Sequence, residues 1–203
     1  MATVRTRIGP KDRGRRMTLA EFREAEWRSG FRYELARGVL EVTNIPGDAH
    51  WQVIHNLHEL FSDHLRRYPR SIRRIGHGSE VEYIVPELET GRHPDIAILF
   101  YGTPAGFEGR PLPVLGVEVV SRGARSRKRD YIAKKEEYLA VGLLEYWIVD
   151  PKDRRVTVLS RVEIEGVAAW QERIFRGDEV IASGLLPGFA GTVAELWGEI
   201  DEL

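Results

Sequence analysis

Two acidic residues stand inside the most apolar stretches of the chain: Asp95 at the head of RHPDIAILF (residues 92–100) and Glu118 within VLGVEVVS (114–121). A carboxylate resists leaving water, and an isolated ionised one in a buried strand is destabilising unless it is neutralised, paired or bound to metal. If the two strands are neighbours, these carboxylates converge. Two carboxylates with a backbone carbonyl and waters suit magnesium, a hard ion that keeps several waters and takes few protein ligands. The competing reading of the same pair is a buried ion pair with one of the chain's many arginines.

A helix is expected from about Ser126 to Val141, directly after the Glu118 strand. At about 100° per residue, Tyr131, Tyr138, Val141, Ile132, Leu139 and Leu143 sweep out its sheet-facing arc, and Lys134 and Lys135 fall inside that arc. Lysines on an apolar face are rarer than lysines on a wet one. An ammonium aimed between the carboxylates would orient or help deprotonate a metal-bound water and stabilise charge developing on a phosphate. The alternative is a lysine whose stem packs while its head reaches solvent, and helical angle does not choose between the two residues.

The elements that must position these groups follow from periodicity and breakers. MTLAEFREAEW reads as a short helix with Thr18 and Glu21 at capping-box spacing, preceded by a loose basic tail over 1–16. YELARGVLEVTN reads as a hairpin turning at Gly38. Ile54, Leu57, Phe61 and Leu65 place a helix over about 49–65, ended by Pro69. SIRRIGHGSEVEYIV and RHPDIAILF suit antiparallel strands, and VLGVEVVS a central strand buried on both faces. EYWIVDP returns as a strand parallel to it after the helix, and RVTVLSR pairs across the next turn. LLPGF and VAELW read as a docked loop and a short helix. The expectation is one domain over 17–203.

Composition excludes several chemistries. The chain has 203 residues and no cysteine, so a disulfide framework, a cysteine zinc site and a thiol nucleophile are unavailable. No HExxH order accompanies His55, His58 and Glu59, no Walker or GxGxxG loop follows a strand, and Ser121 lacks the GxSxG context. Neither a signal peptide nor a membrane span is legible, which makes a cytoplasmic location the expectation. The net charge of -1 conceals a basic start and an acidic end, and two internal basic runs, Arg66 to Arg74 and SRGARSRKRD (121–130), have the charge to meet phosphates. Each is as readily a solvated surface.

Taken together and in order, YELARGVL, a helix opening with His50, HPDIAI, VEVVS, RDYIAKKEEY and EYWIVDP resemble the Uma-two family of restriction-endonuclease-like proteins, within the PD-(D/E)XK nuclease superfamily; the likeness spans about residues 17 to 160. It implies an α/β (α+β) fold with a restriction-endonuclease-like core, a central mixed β-sheet flanked by helices. It implies that Asp95 and Glu118 bind magnesium or manganese together with the Val119 backbone carbonyl, and that the substrate is DNA. In the wider superfamily a lysine lies two residues after the acid, where this chain has Val120. In this branch it comes from the next helix, four residues before a tyrosine, which selects Lys134 before Tyr138, with Asp130 one turn earlier to hold it. Glu34 and His50 also match family positions near the site. The chain departs from the family where Ser121-Arg122-Gly123 replaces a Ser-Pro-Ser turn. Arg122, Arg125, Arg127 and Arg129 leave the Glu118 strand and are the expected nucleic-acid contacts. The rival readings are a non-catalytic nucleic-acid-binding or regulatory protein that keeps the fold, and a homodimer with a vestigial site.

Overall fold

The break at His93-Pro94 decides the architecture. Proline donates no ladder hydrogen bond, and here it ends one strand and lets the chain cross to a different sheet. In a computed structural model that describes residues 7–103, 105–110 and 112–198, the strands are β1 (Arg7–Ile8), β2 (Glu26–Trp27), β3 (Phe31–Ala36), β4 (Val39–Asn44), β5 (Arg74–His77), β6 (Tyr83–Val85), β7 (Thr90–Arg92), β8 (Ile96–Leu99), β9 (Leu115–Val119), β10 (Glu145–Asp150), β11 (Arg155–Ile164) and β12 (Val167–Arg176). The large sheet has the order β12-β11-β10-β9-β8-β5 and the smaller one β4-β3-β7-β6. RHPDIAILF, one segment by sequence, therefore belongs to both, with β7 in the small sheet and β8 in the large one.

The helices are α1 (Leu19–Glu24), α2 (Asp48–Arg67), α3 (Ala124–Lys128) and α4 (Lys134–Ala140), with a π turn, Arg129–Ala133, joining the last two. Thr18 and Glu21 form the expected capping box on α1. α2 turns Val53, Ile54, Leu57 and Phe61 onto one face of the large sheet, against Ile96, Ile98, Val117, Val119 and Trp147. The docked C-terminal segment adds Leu186, Phe189, Val193, Leu196 and Trp197 to the same core. Tyr138 and Leu143 cover the opposite face with Tyr83, Tyr146 and Ile148. The large sheet is mixed, with β9 and β10 parallel around the helical crossover and the other pairs antiparallel. This is the central mixed sheet flanked by helices.

Both long hairpins turn on two residues of positive φ, which matches the right-handed twist of the flanking strands. Arg37 (φ 48°) and Gly38 (φ 73°) close β3 onto β4, and Glu165 (φ 51°) and Gly166 (φ 77°) close β11 onto β12. The first hairpin agrees with the sequence reading; β12 extends the second beyond it. Residues 7–16 depart from the expected loose tail. Ile8 is fully buried with Met17 and Leu35, β1 pairs with β2, and Arg16 bridges to Val39. Burial of one isoleucine and pairing of its backbone hold that segment down. Arg5 in the basic start and Glu199, Asp201 and Glu202 in the acidic end lie outside the described residues.

Candidate active site

The candidate site lies at the seam where the two sheets meet under the π turn. The antiparallel register Ile96↔Val117, carried one residue farther, sets Asp95 opposite Glu118, and cross-strand partners point to the same face of a sheet. Both side chains are buried. Asp95 Oδ2 accepts from the Val119 N–H at 2.9 Å, which ties the end of β8 to the edge of β9. On Glu118, a single oxygen, Oε1, accepts from Lys134 Nζ at 2.7 Å and from the Tyr138 hydroxyl at 2.8 Å. Lys134 and Tyr138 are one helical turn apart, so they reach one atom from the same face of α4.

Glu34 arrives from the other sheet. Its Oε1 accepts from Lys134 Nζ at 3.3 Å and from the His93 N–H at 2.9 Å. Lys134 is only 2% exposed and bridges the two sheets through Glu34 and Glu118. The neighbouring Lys135 points away to Glu172 at the surface.

Two arginines that the sequence reading did not single out complete the arrangement. Arg32 Nη1 donates to Asp95 Oδ1 at 2.6 Å, and its Nη2 donates to the His93 carbonyl at 3.0 Å. The cation called for by Asp95 is, in this structure, a guanidinium. Arg92 is fully enclosed. Its Nε and Nη2 grip Glu137 at 2.8 and 3.1 Å, and Nη1 donates to Glu34 at 3.3 Å and to Glu41. Glu34 and Glu41 are direct partners across β3 and β4. Like charges so placed repel, and Arg92 between them turns that repulsion into a clasp. The signal for Arg32 was its spacing: it lies two residues before Glu34 on one strand and so shares its face.

Asp130 does not hold Lys134 as expected. It is buried against Arg129, whose Nε and Nη2 reach it at 2.8 and 3.3 Å. The physical reason is the π turn. An α-helix stacks residues i and i+4, whereas the wider turn over Arg129–Ala133 shifts their relative phase. His50, in the first turn of α2, does come to the site. Its Nε2 lies 3.4 Å from Asp95 Oδ2 without hydrogen-bond alignment, and neither ring nitrogen has a partner among the described residues.

Electrostatics differ sharply among the three acids. Burial alone would raise Asp95, but the adjoining His50 and Arg32 hold its carboxyl well below the usual range. Burial opposes Lys134, Arg92 and Arg32 in the same way at Glu34, and the cations again win. Glu118 is pushed up to about 8 by burial; Lys134 pulls against that, while Asp95 and Glu34 reinforce it. Burial would lower Lys134, but Glu118 and Glu34 more than offset it and keep the ammonium charged. Of the three acids, Glu118 is where a proton is held most readily.

Of the expected nucleic-acid contacts, Arg122 and Arg125 are exposed and have no carboxylate partner among the described residues. Arg127 is engaged with Asp150 and Asp153, and Arg129 with Asp130. Arg66 pairs with Asp63 on α2, sixteen residues after His50, or about 24 Å along the helix. Arg66 is thus remote from Asp95, whereas Arg74, at the other end of the run, lies on β5 opposite Leu99 of β8.

The Uma2 family model, described as "Putative restriction endonuclease", matches residues 19–194. The chain belongs to this family. Among solved structures, a crystal structure of "a putative nuclease belonging to DUF820" from Anabaena variabilis is similar with a TM-score of 0.68, covering 89% of this chain and 97% of that one at 16% identity. At that identity the likeness speaks for the fold. No curated protein matches. No helix among the described residues is long and apolar enough to cross a membrane.

The donors at the Uma2 seam are those a divalent cation takes. With every group ionised, six carboxylates (Glu34, Glu41, Asp95, Glu118, Asp130 and Glu137) share four bases (Arg32, Arg92, Arg129 and Lys134), an excess of two negative charges that falls to one while Glu118 holds a proton. Oxygen donors with that excess fit magnesium or manganese. Among the described residues, no three His, Asp or Glu side chains are gathered in ligating geometry. The oxygens are instead drawn onto basic side chains.

Proposed function

We propose that this Uma2 protein is a nuclease that hydrolyses DNA phosphodiester bonds and depends on magnesium or manganese. The observation that carries the reading is the buried ammonium of Lys134, 2.7 Å from Glu118 and 3.3 Å from Glu34, on the face that Glu118 shares with Asp95. A buried lysine between two acids is poor economy for stability alone, because desolvation of the charges offsets much of their attraction. In a nuclease, the cation held by Asp95, Glu118 and the Val119 carbonyl would polarise the scissile phosphate and lower the pKa of an attacking water.

The chain's own residues divide the remaining work. Lys134 stabilises negative charge developing on the phosphate, in a site already dry enough for that interaction to be strong. Tyr138 fixes the Glu118 oxygen that Lys134 also meets. Glu34 holds Lys134 from the opposite sheet, and His50 places an imidazole beside Asp95. Arg122 and Arg125, with the exposed Lys128, supply the phosphate-contacting surface that leaves β9.

Cleavage of supercoiled, linear duplex and single-stranded DNA with magnesium or manganese tests the assignment. Lys134→Ala should lose about a hundredfold or more in rate, whereas Lys135→Ala, which removes only a surface pair with Glu172, should cleave like the wild type. The reverse pattern would move the assignment by one residue. A wild-type protein that binds DNA but cleaves none of these substrates would favour the non-catalytic binder.

Binding provides a separate check. Replacing Arg122, Arg125 and Lys128 together by alanine should weaken duplex binding and flatten its log-log salt dependence, by up to about 0.9 for each phosphate that is no longer neutralised. An unchanged slope, measured by fluorescence anisotropy with calcium in place of magnesium, would make that run a solvated surface only.

A further inference from the structure

We propose that Arg32 is a displaceable stand-in for the divalent cation: its guanidinium holds Asp95 in the resting protein and passes to the substrate phosphate when the cation binds. The proposal rests on the nuclease reading above and concerns how that site is loaded.

The geometry assigns the role to Arg32 and to no other base at the seam. Asp95 Oδ2 is turned inward to the Val119 N–H, with His50 beside it, and Oδ1 is taken by Arg32 at 2.6 Å. A cation on Oδ1, bound at about 2.1 Å, would lie within roughly 5 Å of that guanidinium, and the two would repel. One of them must move. Lys134 and Arg92 are sealed in, at 2% and 0% exposure, and Arg129 is gripped through two nitrogens by Asp130. Arg32 is 28% exposed, and its other hydrogen bond goes to a backbone carbonyl, that of His93. It can therefore leave through water without opening the core.

Its destination follows from chemistry. A guanidinium lifted from a carboxylate keeps its planar fork of donors, and phosphate offers the same bidentate match. Arg32 would thus meet the phosphate that the cation also meets, so that occupation of the site by metal and recognition of substrate are linked.

Calorimetric titration of the full chain with Mn²⁺, without DNA, tests the displacement. Arg32→Ala should bind Mn²⁺ about tenfold or more tightly than the wild type, because the competing positive charge is gone. Arg32→Gln, which can still donate to Asp95 but carries no charge, should move the same way and serves if the alanine variant folds poorly. In calcium, both variants should bind duplex DNA about tenfold more weakly, since neither can offer phosphate a charged, bidentate donor. Asp95→Asn should abolish Mn²⁺ binding. Unchanged or weaker Mn²⁺ binding by both Arg32 variants, with wild-type binding intact and sensitive to Asp95→Asn, would overturn the proposal and leave the nuclease reading standing. No Mn²⁺ binding by any of the proteins would overturn both.

Discussion

Glu118→Gln is expected to lower the DNA cleavage rate by about a thousandfold while duplex affinity in calcium falls by no more than about tenfold, the share that depends on release of Arg32 by the cation. Glutamine has the same size as glutamate and keeps an oxygen for Lys134 Nζ and the Tyr138 hydroxyl, so the buried arrangement at 2.7 and 2.8 Å can persist. What disappears is the negative charge that would hold a cation. Loss of an interaction needed in the transition state falls on the catalytic rate, whereas phosphate contacts from Arg122, Arg125 and Lys128 are elsewhere and set the part of the affinity that does not depend on the cation. Asp95→Asn should behave likewise. A plasmid-nicking assay alongside anisotropy separates the two effects. Retention of more than a tenth of the wild-type rate by Glu118→Gln would remove Glu118 from the chemistry.

The parts of this site that were legible from the residues are those in conflict with their surroundings. An aspartate opening an apolar strand and a glutamate in the middle of another violate the local rule that buried strands are apolar, and such violations concentrate at functional sites. Lys134 stood out in the same way, as a lysine on a helix's apolar arc, although only the resemblance separated it from Lys135. Glu34 needed the resemblance entirely, because a glutamate beside a hairpin is ordinarily wet. Arg92 gave no sign. Three residues, Thr90–Arg92, form its strand, too short for periodicity to show a face, and arginine is rarely enclosed. The seam itself was hidden because Pro94 divides one apolar segment between two sheets, and a sheet assignment is a matter of distant pairing. Asp130 was misplaced for a local reason: the π turn breaks the 3.6-residue phase on which the helical argument relied.

Arg92 carries the second large expectation, and it concerns stability. Replacing Arg92 by methionine should destabilise the protein by about 3–5 kcal/mol, because removing one side of a buried ionic cluster strands the charges on the other. Here Glu34, Glu41 and Glu137 would all lose the same partner. Native stabilities of about 5–15 kcal/mol leave little margin for such a loss, so urea unfolding should show a clear fall in midpoint. Adding Glu137→Gln to Arg92→Met should recover part of it, since the amide tolerates burial without the guanidinium; residues sharing a network are not additive. The pH dependence follows from Glu34. Its carboxyl is held below the usual range despite burial, with Lys134, Arg92 and Arg32 as the opposing cations. The stability this brings is present above the ordinary glutamate pKa and is lost as pH falls through the folded value. The difference between wild type and Arg92→Met should therefore be greatest near neutrality and shrink on acidification through about pH 4–5 and below. A cost under about 1 kcal/mol at neutral pH would mean that the three acids find other partners when Arg92 goes, and Arg92 would then not be the anchor that holds Glu34 toward Lys134.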